Sequence, residues 1–279
     1  MQPLFEVSLP VIGMIHLPAL PGSPGCQQLS GFAATWSRIE EAVMADAKAL
    51  ADGGVDAIMI ENFGDVPFFP GSNPAHVLTL MTRIAGLVRR TTRKRLGINV
   101  LRNDGISALA IALASDAQFI RVNVLSGARV TDQGIIEGTA HDLLRYRQQI
   151  GAGHIAILAD VQVKHSSPLG GGTPLAQDVD DLCKRAMADG VIVSGSGTGK
   201  AVNLDALKAT KAAAHNHPVF IGSGASLDNL AEISRFADGL IVGTAFKRGG
   251  DLDAPVDAVR VSTFMAAVTA QRARANRES

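Results

Sequence analysis

Along the chain, short apolar runs rich in β-branched residues alternate with longer stretches in which apolar positions recur at helical spacing. The runs are Val11–His16, Ala57–Glu61, Leu96–Val100, Gln118–Val122, His154–Val161, Gly190–Ser194, Pro218–Gly222 and Gly239–Gly243. The stretches after them predict helices over Arg38–Ala51, Pro74–Thr91, Asp104–Ala114, Ala140–Ile150, Leu175–Ala188, Leu204–Ala214, Leu227–Arg235 and from beyond Pro255 to about Ala273. A strand pattern followed by a helical pattern is the mark of a βαβ unit, and such units build a parallel sheet. Eight of them in 279 residues predict an α/β fold, a (β/α)8 TIM barrel that takes up 1–279 as a single domain, since that barrel needs roughly 250 residues. An open doubly wound sheet is disfavoured because no Gly-x-Gly-x-x-Gly opens the first helix.

The connections are unequal. Those leaving strand ends are long and polar (Leu17–Ser37, Asn62–Asn73, Asn123–Thr139, Gln162–Pro174), whereas the returns to the next strand are short. Long loops therefore gather at the carboxyl-terminal face, where such barrels keep their chemistry. Alternation puts Arg121 and Asn123 on one face of the fourth strand and Asp160, Gln162 and Lys164 on one face of the fifth, while Glu61 ends the second. The opposite faces are apolar and pack on the helices, so the polar rows point to the barrel axis near its mouth.

Charges placed there need partners, and one reading is a structural ion-pair network. The other is a catalytic set. Glu61 and Asp160 would be general acid and base, and Arg121 and Asn123 would orient the substrate. Lys164 would act electrostatically, or as an amine whose lowered pKa lets it serve as a base or form a Schiff base. His16, at the end of the first strand, reads either as a ligand contact or as a hydrogen-bonded strand-end histidine. No cofactor is expected. A divalent metal on Glu61, Asp160, His16 and His165 is the alternative, with no His-x-His or His-x-x-x-His pair to support it.

The last two strands end on glycine. Gly222-Ser223-Gly224-Ala225 follows the seventh and reads as opening a helix, and Gly243-Thr244-Ala245-Phe246 follows the eighth. Barrels cradle a phosphate between these two loops, because bare backbone lets N–H groups approach the oxygens and a helix N-terminus reinforces them. Ser194-Gly195-Ser196-Gly197-Thr198-Gly199-Lys200, after the sixth strand, reads as a third loop beside the same phosphate. It is no P-loop: Gly195 to Gly199 is one residue too short, and Ala201 follows Lys200. Ser166–Pro174, rich in glycine, is a candidate lid.

Composition narrows the partners. The 26 basic and 26 acidic residues cancel, which removes any global field for nucleic acid or an anionic membrane. No apolar run reaches the length of a membrane span. Met1–Pro10 has no basic segment ahead of an apolar one, and Cys26 and Cys183 share no metal-ligand spacing. A cytoplasmic protein with a phosphorylated small-molecule ligand is expected, and assembly into a homo-oligomer stays open.

Six segments at strand ends resemble the BtpA/SgcQ family. They are Gly13–Pro24 (Gly-Met-Ile-His-Leu-Pro-Ala-Leu-Pro-Gly-Ser-Pro), Ile60–Phe68, Gly97–Asp104, Arg121–Val124, Asp160–His165 and Val193–Gly199. The resemblance spans nearly the whole chain. It implies a barrel related to phosphate-binding barrels, with one branch linked to photosystem I accumulation and another to sugar-transport genes. The reaction is not among the things it implies. Asn99, in the third segment, joins His16, Ser194, Gly195, Gly197, Gly222, Ser223, Gly224, Gly243 and Thr244 as the expected substrate and phosphate contacts. Two functions are expected to compete: an enzyme of lyase, isomerase or glycosyl-transferring type acting on a sugar phosphate or nucleotide-like phosphate, and a non-catalytic assembly or regulatory factor that retains the ligand site.

Overall fold

Inward-pointing residues decide where the barrel is dry and where it is wet. The computed structural model describes residues 4–195 and 202–278. Its elements run β1 (Val11–His16), α1 (Phe32–Asp52), β2 (Ala57–Glu61), α2 (Ala75–Thr92), β3 (Arg95–Asn99), α3 (Gly105–Ala114), β4 (Phe119–Val122), β5 (Ala128–Thr131), β6 (Gly134–Glu137), α4 (Ala140–Gln149), β7 (Ala156–Val161) and β8 (Ser166–Pro168). They continue with α5 (Leu175–Asp180), β9 (Gly190–Val193), α6 (Leu204–Ala213), β10 (Val219–Ile221), α7 (Leu230–Ile233), β11 (Gly239–Val242) and α8 (Ala258–Glu278). Eight strands close into one parallel barrel in the order β1-β11-β10-β9-β7-β4-β3-β2. Each expected run overlaps one of them.

Two buried layers follow from the period-two alternation. Outward residues such as Ile58, Ile98, Ile120, Ile157 and Leu240 pack on the helices through Ile39, Leu50, Met81, Ile84 and Leu109. Inward residues Ile12, Met14, Met59, Phe119, Leu158, Ile192, Phe220 and Ile241 fill the lower interior. Phe5 seals that layer from the amino-terminal side, its ring centroid 6.1 Å from Phe119 and 6.3 Å from Phe220. A buried Lys247–Asp46 ion pair of 3.0 Å, with the Val256 amide also donating to Asp46, ties the segment after β11 to α1.

The helix boundaries shift for local reasons. α1 starts at Phe32, ahead of the expected Arg38, because Gly31 turns the chain at φ 117° and Phe32 stacks on Trp36. α7 shrinks to Leu230–Ile233 because Asn229 holds the preceding turn: its Oδ1 accepts from the Ser226 amide and its Nδ2 donates to the Gly224 carbonyl. The helix expected over Leu175–Ala188 relaxes into a π-helical turn at Asp181–Arg185.

The Asn123–Thr139 connection, read as a polar loop, is instead a hairpin. β5 and β6 pair antiparallel and β8 joins on the other side, making a three-stranded sheet in the order β6-β5-β8. Its small core is Ile136 with Val124 and Val163. The signal was present as Val130-Thr131-Asp132-Gln133-Gly134-Ile135, a β-rich run broken by a polar pair and a glycine that turns at φ 99°.

Gly97 marks the tightest place in the lower layer, where an added Cβ would lie 2.1 Å from Phe119 Cε2. Phe119 is fully buried and has nowhere to go. Gly97→Ala is therefore expected to destabilise the fold by about 1–3 kcal/mol through overpacking. Urea unfolding checks this, and an unchanged midpoint would contradict the packing described.

Candidate functional site

At its carboxyl-terminal end the barrel interior turns polar. Parallel register sets His16 of β1 beside Glu61 of β2, Glu61 beside Asn99 of β3, and Asn99 beside Arg121 of β4. Asp160 of β7 and Ser194, just past β9, continue the ring. The last two positions are glycines, and the reason is space. A Cβ on Gly222 would lie 2.8 Å from Ser194 Oγ and 3.3 Å from Arg121 Nη2, and one on Gly243 would lie 2.9 Å from His16 Cε1. The room left is a cavity of about 300 Å³, at the lower end of the range for small-molecule sites. It is lined by Gly222–Ser226 and Gly243–Ala245 together with His16, Glu61, Arg121 and Lys164.

Asp160 is saturated. Arg121 donates to it from Nε and Nη2, both at 2.8 Å, and Asn123 Nδ2 and Ser194 Oγ each add a bond of 3.0 Å. Burial by itself would lower the Arg121 pKa, but Asp160 outweighs it and holds the guanidinium charged, above its ordinary value. The pair fixes Arg121 across the barrel with Nη2 next to Gly222.

Glu61 is held differently. One oxygen accepts from Asn99 Nδ2, and the other lies 4.0 Å from His16 Nε2 and borders the cavity. Burial pushes His16 down to a pKa of about 4, Glu61 opposes that shift, and Lys247 and Lys164 add to it. The imidazole is neutral near pH 7, with Nδ1 buried and lacking a hydrogen-bond partner. Lys164 also has a lowered pKa, first from burial and then from Arg121, against the pull of Glu61 and Asp160.

Some expected residues lie elsewhere. Gln162 does not share the inward face of Asp160 and Lys164, because β7 ends at Val161 and Gln162 turns outward at φ 48°, donating to Asp178. His165 is exposed, and among the described residues no three His, Cys, Asp or Glu side chains gather as metal ligands. The helix expected to open at Gly222 starts only at Leu230, so no helix dipole supports that turn. The Gly195 amide donates to Ser223 Oγ at 3.3 Å, which ties the loops after β9 and β10 together. Gly197 falls outside the described residues.

Other residues of the site went unforeseen. Arg260, on α8, lines the cavity and donates from Nε to the Ala245 carbonyl at 2.9 Å. Nothing in the local pattern of a surface helix marks it. Asn229, another lining residue, was legible only as a turn former.

Comparison with known proteins agrees with this architecture. The sequence pattern of the BtpA family matches residues 7–270. The photosystem I biogenesis protein BtpA of Synechocystis sp. is 46% identical over 265 residues, covering 95% of this chain and 89% of that protein. An uncharacterised protein of Thermococcus kodakarensis is 44% identical over 251 residues, covering 90% of this chain and 92% of that one. Among solved structures, orotidine 5'-monophosphate decarboxylase of Methanocaldococcus jannaschii, complexed with the inhibitor BMP, is similar with a TM-score of 0.56 at 14% identity, over 94% of this chain and 98% of that one. At that identity the likeness shows the fold alone.

The buried histidine has a measurable signature. Below pH 6.5 the unfolded chain takes up a proton on His16 that the folded chain refuses until about pH 4, so this contribution is complete above 6.5 and lost as pH falls through that window. Between pH 7 and pH 4.5 the native chain is expected to lose about 2 kcal/mol more stability than His16→Gln. Urea denaturation of both at the two pH values checks this, and parallel losses would place His16 in water.

Proposed function

The chain belongs to the BtpA family, and from that premise we propose that it is an enzyme acting on a phosphorylated small molecule, a sugar phosphate or a nucleotide-like phosphate. The observation that carries this reading is one cavity that brings two unlike sets of groups together. Gly222–Gly224 and Gly243–Ala245 offer backbone, and His16, Glu61, Arg121 and Lys164 offer ionisable side chains. Backbone amides suit phosphate oxygens because they donate without bulk, and Arg121 beside Gly222 adds a fixed positive charge.

The side chains at the cavity supply groups for lyase, isomerase or glycosyl-transfer chemistry. Glu61, with one oxygen anchored by Asn99 and the other at the cavity, is the acid/base group, and neutral His16 beside it donates or accepts one hydrogen bond. Asp160, its oxygens filled by four donors, positions Arg121 rather than moving protons. Lys164 stabilises developing negative charge, or forms a Schiff base if the ligand brings a carbonyl. A second reading draws on the name of the Synechocystis relative. It makes the chain an assembly factor of the photosystem I biogenesis type, for which the ligand only stabilises the barrel.

Calorimetric titration with inorganic phosphate and a panel of sugar phosphates and nucleoside monophosphates tests the ligand claim. Gly243→Val, which would push on His16, is expected to weaken binding roughly tenfold, about 1.4 kcal/mol. A native chain that binds none of them overturns the reading. With a tight binder in hand, Glu61→Gln is expected to slow turnover on the order of 100-fold or more while affinity stays. No turnover of any tight binder would favour the assembly factor. Borohydride trapping with carbonyl-bearing sugar phosphates checks the Schiff-base version: an adduct on Lys164 supports it, and good binders without adduct exclude it.

A further inference from the structure

One turn on the barrel rim, residues 101–104, ties together the loops around the cavity. The Leu101 amide donates to Asn62 Oδ1 at 2.7 Å, and its carbonyl accepts from Asn73 Nδ2 at 3.0 Å. Asn103 accepts from the Val124 amide at 2.8 Å and donates to the carbonyls of Val124 at 2.9 Å and Glu137 at 3.3 Å. Arg102 donates from Nη2 to the Lys164 carbonyl at 2.7 Å. Glu137 ends β6 and Lys164 stands just ahead of β8, so adjacent residues of this turn grip the chain at both outer strands of the antiparallel sheet.

Arg102 is an expensive way to make such a contact. It is 5% exposed, yet among the described residues no carboxylate lies within ion-pair distance of it, and its Nε has no hydrogen-bond partner. A buried guanidinium on a neutral carbonyl is poor for stability alone. What it holds is a stretch that needs holding. Gln162 and His165, on either side of Lys164, have φ of 48° and 55°, a conformation that costs a non-glycine residue roughly 1–2 kcal/mol. Val163 packs with Val124 and Ile136, and Ser166 Oγ donates to the Val163 carbonyl, while Arg102 grips the main chain at Lys164 itself.

We propose that Arg102 is the positioning residue for Lys164, fixing its main chain where the side chain meets the cavity and keeping the antiparallel sheet docked at that end of the mouth. The role of Lys164 toward a ligand rests on the function proposed above, while its placement by Arg102 does not. The charged groups that act on Lys164 are Glu61 from β2, Arg102 from the rim turn, Arg121 from β4 and Asp160 from β7. Removal of Arg102 takes away a repelling cation and admits water, and both changes raise the Lys164 pKa.

The test is competitive acetylation of lysines across a pH series, read peptide by peptide in a mass spectrometer, on the native chain and on Arg102→Met, Arg102→Gln and Arg102→Lys. The Lys164 midpoint is expected to rise by about one pH unit in Arg102→Met and to return most of the way in Arg102→Lys, which keeps the charge and a donor. A folded Arg102→Met with the native Lys164 midpoint overturns the proposal. If that variant does not fold, Arg102→Gln decides by the same readout. Inorganic phosphate titrated into the same proteins is expected to bind within about twofold of native, or about 0.4 kcal/mol, because the glycine turns lie after β10 and β11. Failure of the native chain to bind phosphate would sink the ligand reading and leave the Lys164 result standing.

Discussion

The mouth of this barrel is organised by one ion pair. Arg121 and Asp160 are each under 5% exposed and face each other through two hydrogen bonds of 2.8 Å. A charge this far from water survives only with a partner, and loss of either member of such a pair typically costs about 3–5 kcal/mol. The constraint spreads outward. Asn123 and Ser194 supply the remaining donors to Asp160, and at Gly222 a side chain would collide with Ile192 Cγ2 at 2.5 Å and with Ser194 Oγ at 2.8 Å before it reached Arg121. Much of the polar ring exists because this pair does.

The glycines at the other end of the ring answer the same demand from the opposite direction. In a barrel packed by layers of side chains the interior is normally full. Here the lower layer is full, with Phe119 occupying the space that Gly97 leaves, and the top layer is interrupted at Gly222 and Gly243. Neither has a positive φ, and at both an added Cβ would meet neighbouring side chains at under 3 Å, so volume calls for glycine. A cavity bounded by the backbone of these turns and by Arg121, Glu61 and His16 is the direct consequence.

Above the ring, the loops are braced by side chains rather than by regular structure. Asn62, Asn73, Arg102, Asn103 and Asp104 exchange hydrogen bonds across three strand ends, and the antiparallel sheet rests on that brace. The segment carrying Lys164 lies between the rigid barrel and this sheet, which lets a residue outside any barrel strand reach the same cavity as Glu61 and Arg121.

Much of this is legible in the amino-acid order alone. Eight short apolar runs, each followed by a helical pattern, specify a barrel because a strand buried on both faces must lie between helices and the axis. The eight strands do close on one another in that way. The same alternation places Arg121, Asn123 and Asp160 inward, and the terminal glycines announce a place where backbone lies bare. Tertiary structure alone decided the rest. Whether Asp160 has a lone pair to spare depends on Ser194 from another strand, and whether Gln162 points inward depends on where β7 gives way to a left-handed turn. Arg102 and Arg260 read as ordinary basic residues until contacts with Lys164 and Ala245, distant in the chain, give them a place. Periodicity is a local property set by the backbone, but the state of a charge is set by whatever the fold brings within a few ångströms of it.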